Sequence, residues 1–211
     1  IAASRIAFAW ADNNRKEILE IYRKSSLYML ALGGLLFVGI NINIVALLSF
    51  LPEGYQQGAA VVLIISIGTL VNMSTGANAP ILFNSEKYRW GAYFLIALAV
   101  ISVLLQMVFI PWLGLNGAAI ATVSCYILYN VYMTAVVWKF YNLHPFNKKM
   151  FTVLLAIIVC FGINQLLPVL ENKIADIVLR SAVATFVYLI IIYRFKVLEE
   201  YHHLLPWHKK L

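Results

Sequence analysis

Between Leu27 and Tyr193 the chain returns six times to long stretches almost free of charge: 27–51, 58–83, 90–113, 115–138, 150–170 and 174–193. Only the last contains any Lys, Arg, Asp or Glu, namely Asp176 and Arg180, and both lie toward its start. Each stretch is long enough to cross a bilayer as a helix, which takes about 20 apolar residues. A backbone in hydrocarbon must satisfy its own hydrogen bonds, so it forms either helices or a closed barrel. Strand-type alternation of polar and apolar residues is absent, which argues against the barrel. A soluble fold is a poor alternative. The 211 residues are 63% hydrophobic and 12% charged, whereas soluble domains carry about 25% charged residues. A chain of this length could not enclose so much apolar surface. The expected fold class is all-α, a polytopic membrane helix bundle with six full transmembrane helices.

The charge then orients the bundle. The net charge is +7, but its placement matters more than its sum. Arg5, Arg15, Lys16, Arg23 and Lys24 precede the first full span, and the next loop has no basic residue. Lys87 and Arg89 follow the second span, the turn near Leu113 has none, and Lys139, Lys148 and Lys149 follow the fourth. Arg194, Lys196, Lys209 and Lys210 follow the sixth. Of the 16 Lys and Arg, only Lys173 and Arg180 fall on the opposite side. This is the positive-inside pattern. It predicts both ends of this chain in the cytoplasm, with Glu53, Trp112 and Asn172 outside and Lys87, Lys148 and Lys209 inside. The basic residues thus encode topology, and no nucleic-acid partner is expected.

Ahead of the first span, DNNRKEILEIYRK (residues 12–24) reads as a cytoplasmic amphipathic helix. Asp12 is placed to cap it, and Ile18, Leu19 and Tyr22 make an apolar face for the membrane surface. The opening IAASRIAFAW has neither a basic leader nor a cleavage site and reads as the end of a truncated seventh span. Cys125 and Cys160 both fall mid-span and read as small packing residues, not as a disulfide or metal pair. His202, His203 and His208 crowd the tail, where solvation at the interface is a simpler role than metal binding.

Within the spans, the chemistry rests on uncharged polar groups. All nine carboxylates lie in loops or at span ends, which argues against an intramembrane proton relay. It argues equally against a membrane hydrolase with positioned acid and base groups. The amides and hydroxyls fall on faces. Thr122, Tyr126, Asn130 and Thr134 are spaced by four along the fourth span, and Asn72, Thr75, Gly76 and Ala79 share a face of the second. An amide facing lipid is costly, so such groups meet other helices or water. Interhelical hydrogen bonding and a polar cavity both satisfy that requirement. Asn72, Thr75, Asn78, Asn130 and Thr134 are accordingly the cavity candidates. The second span also holds Pro80 near its cytoplasmic end, where a missing backbone N–H permits a kink.

IPWLGLNGAAIATVSCY (residues 110–126) follows the pattern P-x-x-G-x-x-G-A-A-x-A-T, matched by Pro111, Gly114, Gly117, Ala118, Ala119, Ala121 and Thr122. Physically, Pro111 ends one span, Gly114 and Gly117 permit a tight outer turn, and the small residues let the next helix pack closely. This stretch resembles the C-terminal half of polysaccharide repeat-unit flippases of the multidrug/oligosaccharidyl-lipid/polysaccharide exporter superfamily. Residues 2–26 are similar to the segment after those proteins' eighth helix, and VNMSTGANAPILFNSEKYR (residues 71–89) to their tenth helix and its loop. The two further spans match the pair that fourteen-helix members carry and the drug exporters lack.

The resemblance implies the C-terminal lobe of a MATE-like fold. Residues 1–26 would be a span end and connector, 27–140 the four-helix part, 141–195 the additional pair and 196–211 a cytoplasmic tail. It implies no enzyme but a flippase in the bacterial inner membrane. That flippase would carry an undecaprenyl-diphosphate-linked oligosaccharide by alternating access, in O-antigen or capsule synthesis. The implied partners are the bilayer, the lipid-linked oligosaccharide, and the polymerase and chain-length proteins of polysaccharide assembly. No cofactor is implied, and the energy source would be a proton or sodium gradient. Arg180, the one basic residue inside a span, is the candidate for the lipid diphosphate, with snorkelling to outer headgroups the favoured alternative. Three rival readings stay open: a drug/cation antiporter of the same superfamily, a polytopic membrane enzyme of glycan assembly, and a non-transporting scaffold.

Overall fold

The computed structural model describes residues 2–52 and 54–198. Glu53, the histidines of the tail and Lys209 lie outside the described residues. All regular structure among those described is helical: α1 Ala2–Ala11, α2 Arg15–Leu48, α3 Ala59–Thr75, α4 Asn78–Phe83, α5 Tyr88–Tyr141, α6 Lys148–Leu166 and α7 Lys173–Arg194, with a 3-10 turn at Tyr55–Gly58. Four of them, α2, α5, α6 and α7, are long and apolar enough to cross a membrane, and α3 is a shorter apolar helix.

The first departure from expectation is at α2. The cytoplasmic amphipathic segment and the first span form one continuous helix. Its cap is Asn14 and not Asp12: the Asn14 Oδ1 accepts from the Glu17 N–H at 3.2 Å, and the Asn14 amide donates back to the Glu17 carboxylate. Asp12 is still engaged in the turn that ends α1, where its N–H donates to the Phe8 carbonyl. That turn reverses the chain through Asn13 at φ 51°, and Arg5 then pairs with Glu17 at 2.9 Å. Ile18 and Tyr22, expected on the membrane surface, are fully buried. They pack with Ile6, Ala9, Ile81, Leu82 and Met133, because α1, α4 and the end of α5 cover that face.

The second departure is in the polar stretch. A single span at 58–83 is expected, with Pro80 as its kink. The helix instead stops at Thr75, Gly76 takes φ 55° and ψ −118°, and α4 restarts at Asn78. Pro80 sits in the first turn of α4, where its missing N–H leaves no helical bond unmade. The reason for the break is close approach of α2. A Cβ at Gly76 would lie 2.6 Å from the Ser26 backbone N. Only glycine combines that dihedral with that proximity.

The third concerns α5, which covers two expected spans. Its 54 residues, if straight, would reach about 80 Å, far beyond the hydrocarbon thickness of about 30 Å. The backbone is non-helical at Gly114, φ 56° and ψ −130°, and the two arms fold back on each other. Phe94 and Tyr132 stack with ring centroids 3.8 Å apart, Trp90 meets Phe140 at 5.9 Å, and the Tyr132 hydroxyl donates to the Trp90 carbonyl 42 residues away. Gly114, not Pro111, ends the first arm, since the helix continues through Pro111 to the turn.

α2 is the spine. On one side it packs with α6 and α7 through Leu27, Leu30, Val38, Val153, Ile157 and Tyr188. The Tyr188 hydroxyl donates to the Ala31 carbonyl at 2.6 Å, over Gly34, which has no room for a Cβ. On the other side lie α3 and α4, and the second arm of α5 reaches α2 through Met133 and the Thr134–Tyr22 hydroxyl pair. Asn41 and Asn43 point apart, as their spacing requires: Asn41 bonds Ser66 on α3 and Asn43 bonds Ser181 on α7. The outside is apolar. Leu104, Met107, Ile158 and Phe186 are each more than half exposed, a surface that suits lipid and not water.

Candidate functional site

The polar face forms where α3 ends. A helix terminus leaves backbone carbonyls without partners, and two hydroxyls absorb part of that debt: Ser74 donates to the Val71 carbonyl at 2.7 Å and Thr75 to the Asn72 carbonyl at 2.9 Å. Asn130, on the second arm of α5, reaches across to the same place. Its Oδ1 accepts from Thr75 Oγ1 at 2.5 Å and from Asn78 Nδ2 at 3.1 Å. Its Nδ2 donates to Asn72 Oδ1 at 3.0 Å and to the Tyr126 carbonyl at 2.8 Å. A carboxamide has two donors and two acceptor lone pairs, so every hydrogen-bonding position of Asn130 is used.

Four of the sequence candidates, Asn72, Thr75, Asn78 and Asn130, thus meet in one network. Thr134 does not join it. It lies one turn further along α5, with its hydroxyl 3.4 Å from the Tyr22 hydroxyl. Burial separates the members. Asn130 is 1% exposed, Asn78 3% and Thr75 6%, whereas Asn72 is exposed. The network therefore presents one amide outward, with Asn72 Oδ1 held by Asn130. Beside it stands Tyr126, 40% exposed and one turn from Asn130. Thr69 lies one turn back on α3 and bonds the Ile65 carbonyl. The four-residue spacing of Tyr126 and Asn130 is the sequence signal that marks Tyr126, but its exposure depends on what α3 covers.

The small-residue motif shapes the turn between the two arms of α5. Gly114 supplies the positive φ, and the tip from Pro111 to Asn116 is exposed. Gly117 lies where the arms touch: a Cβ there would be 2.0 Å from the Phe109 carbonyl oxygen. Ala121 is fully buried, and Ala118 accepts the Thr122 hydroxyl at 2.9 Å. Gly68 on α3 faces Val123, so this arm also packs tightly on α3.

Arg180 does not snorkel. It is 9% exposed and enclosed by the α6–α7 turn. Its Nε donates to Asp176 Oδ2 at 2.7 Å, Nη1 to Asn164 Oδ1 at 2.7 Å and to the Asn164 carbonyl at 3.2 Å, and Nη2 to the Pro168 carbonyl at 3.3 Å. Asp176 Oδ1 in turn accepts the Leu170 N–H at 3.1 Å. A charge held this way spends its donors on Asp176, Asn164 and a carbonyl of the tight turn, and it clamps α6 to α7. Cys160 is buried and Cys125 half-buried, and both are free thiols.

No family model, curated protein or solved structure matches this chain.

Proposed function

We propose that the chain is one lobe of a membrane transporter that flips an undecaprenyl-diphosphate-linked oligosaccharide across the bacterial inner membrane by alternating access. Six passes serve this reading: α2, α3 continued by α4, the two arms of α5, α6 and α7. The distribution of Lys and Arg supports an arrangement with both ends of the chain at the cytoplasmic face. The proposal is for transport and not catalysis, with a proton or sodium gradient as its energy source.

The observation that carries the reading is the outward amide of Asn72, held by the buried Asn130 and flanked by the exposed Tyr126, on a bundle whose exterior is mostly apolar. Lipid cannot satisfy that group, and a hydrated substrate path can. An amide bonds sugar hydroxyls without the desolvation cost of a charge. In this proposal Asn72 and Tyr126 face the carried headgroup, while Thr75, Asn78 and Asn130 hold Asn72 in place. Arg180, with its donors committed to Asp176, Asn164 and Pro168, serves the α6–α7 turn and not the diphosphate.

The test is export of surface glycan in cells that depend on this protein. Asn72→Ala is expected to lower export while expression and melting stay near wild type, and Asn72→Trp to block it. A cysteine at position 72 should react with a water-soluble thiol reagent, and one at the apolar position 103 should not. Normal export by both variants, with an unreactive cysteine, removes the transport assignment from this face.

A further inference from the structure

The open end of the α5 hairpin gathers cations and aromatic rings from both arms. Lys87 Nζ stands 5.5 Å from the Phe140 ring centroid, and Phe140 lies 5.9 Å from Trp90. The Arg89 guanidinium lies over the neighbouring Tyr88 ring at 5.9 Å. Trp90 is 51% exposed and Trp138 59%, and Lys139 in the last turn of the second arm is also exposed. Among the described residues, none of Lys87, Arg89 and Lys139 makes a salt bridge. The nearest carboxylate in sequence is the exposed Glu86.

We propose that this surface is a binding site for an anionic phospholipid, with its phosphodiester held by Lys87, Arg89 and Lys139 and its glycerol region against Trp90 and Phe140. Three features select that occupant. The three cations exceed the single acid, so an anion is favoured. Exposed Trp residues on two adjacent apolar helices mark the headgroup level of a bilayer, so the anion belongs to a lipid and not to bulk solution. The rings also preorganise the cations: Phe140 holds Lys87 and Tyr88 holds Arg89 through cation–π contacts, which lowers the entropic cost of presenting both to one phosphate. The site rests on α5 lying in a bilayer and is independent of what the protein carries.

Native mass spectrometry of the chain released from nanodiscs containing phosphatidylglycerol and phosphatidylcholine tests it. The wild-type chain should retain phosphatidylglycerol in preference to phosphatidylcholine. Electrostatic attraction of this kind changes occupancy by about fivefold per cation. The triple variant Lys87→Gln, Arg89→Gln, Lys139→Gln should therefore lose most of the retained phosphatidylglycerol, with phosphatidylcholine unchanged. Glu86→Gln should raise retention. A control with the same charge loss at exposed positions elsewhere, Lys16→Gln, Lys148→Gln and Arg194→Gln, should retain phosphatidylglycerol as wild type does. Equal loss in the control, or unchanged retention in the triple variant, overturns the proposal. Failure of the wild-type chain to enter nanodiscs at all counts instead against the membrane placement of α5.

Discussion

Asn130 shows how one buried amide fixes two others and a hydroxyl. With all four hydrogen-bonding positions used, its removal leaves the buried Asn78 amide short of a partner, while the Thr75 hydroxyl keeps the Asn72 carbonyl. An unsatisfied buried group costs about 1–3 kcal/mol. Asn130→Ala is therefore expected to lower thermal stability clearly, whereas Asn72→Ala, at an exposed position, leaves it nearly unchanged. Melting of both variants in the same lipid mixture checks this, and equal melting temperatures contradict the hub role. The stability of Asn130 variants and the export of Asn72 variants thus separate holding from binding within one network. Much of this was legible in the residues. An amide in hydrocarbon has to find a partner, so Asn72, Thr75, Asn78 and Asn130 stand out as a set. Which of them keeps a free group was not legible, because that depends on bonds between residues 55 and 52 positions apart.

Among the elements, the α5 hairpin is the most constrained. Its arms approach so closely at Gly117 that the Phe109 carbonyl occupies the space of a Cβ. Gly117→Leu should force the arms apart, at an overpacking cost of about 1–3 kcal/mol. Folded yield and melting temperature should both fall, and wild-type values for both contradict the close contact. The glycine pattern announced this turn, since glycines and small residues between two apolar runs have few other uses. The break at Gly76 was harder to read. Sequence favours Pro80 as the kink because proline removes a backbone donor, yet a proline in a first helical turn costs nothing. What ends α3 is the passage of α2 at Ser26, a fact about another helix. Arg180 teaches the same lesson. Its i,i+4 partner Asp176 was visible, but the turn carbonyls that complete its shell depend on how 167–172 folds between α6 and α7.

For the whole molecule, the proposed topology places Lys87 and Lys148 on one side of the membrane and Trp112 and Asn172 on the other. Single cysteines at these positions, with Cys125 and Cys160 replaced by Ala, should be labelled from outside intact cells only at 112 and 172. Labelling at 87 from outside overturns the arrangement. The described bundle suits it geometrically: Gly114 reverses α5 at an exposed tip, and the contacts of Trp90 with Phe140 bring Lys87 and Lys139 to the same end.

The sequence alone determined that this chain is helical and suited to lipid, because charge-free stretches of this length leave the backbone a helix or a closed barrel, and the strand-type alternation of a barrel is absent. It also determined the polar positions and the asymmetry of the basic residues, both of which are properties of the linear order. Tertiary structure alone decided which faces are covered. Ile18 and Tyr22 pass from an expected membrane face to the core because α1, α4 and α5 close over them. Asn130 is enclosed while Asn72 stays outward because α3 ends beside the second arm of α5. Helical periodicity says that residues share a face; only the neighbouring helix says what that face meets.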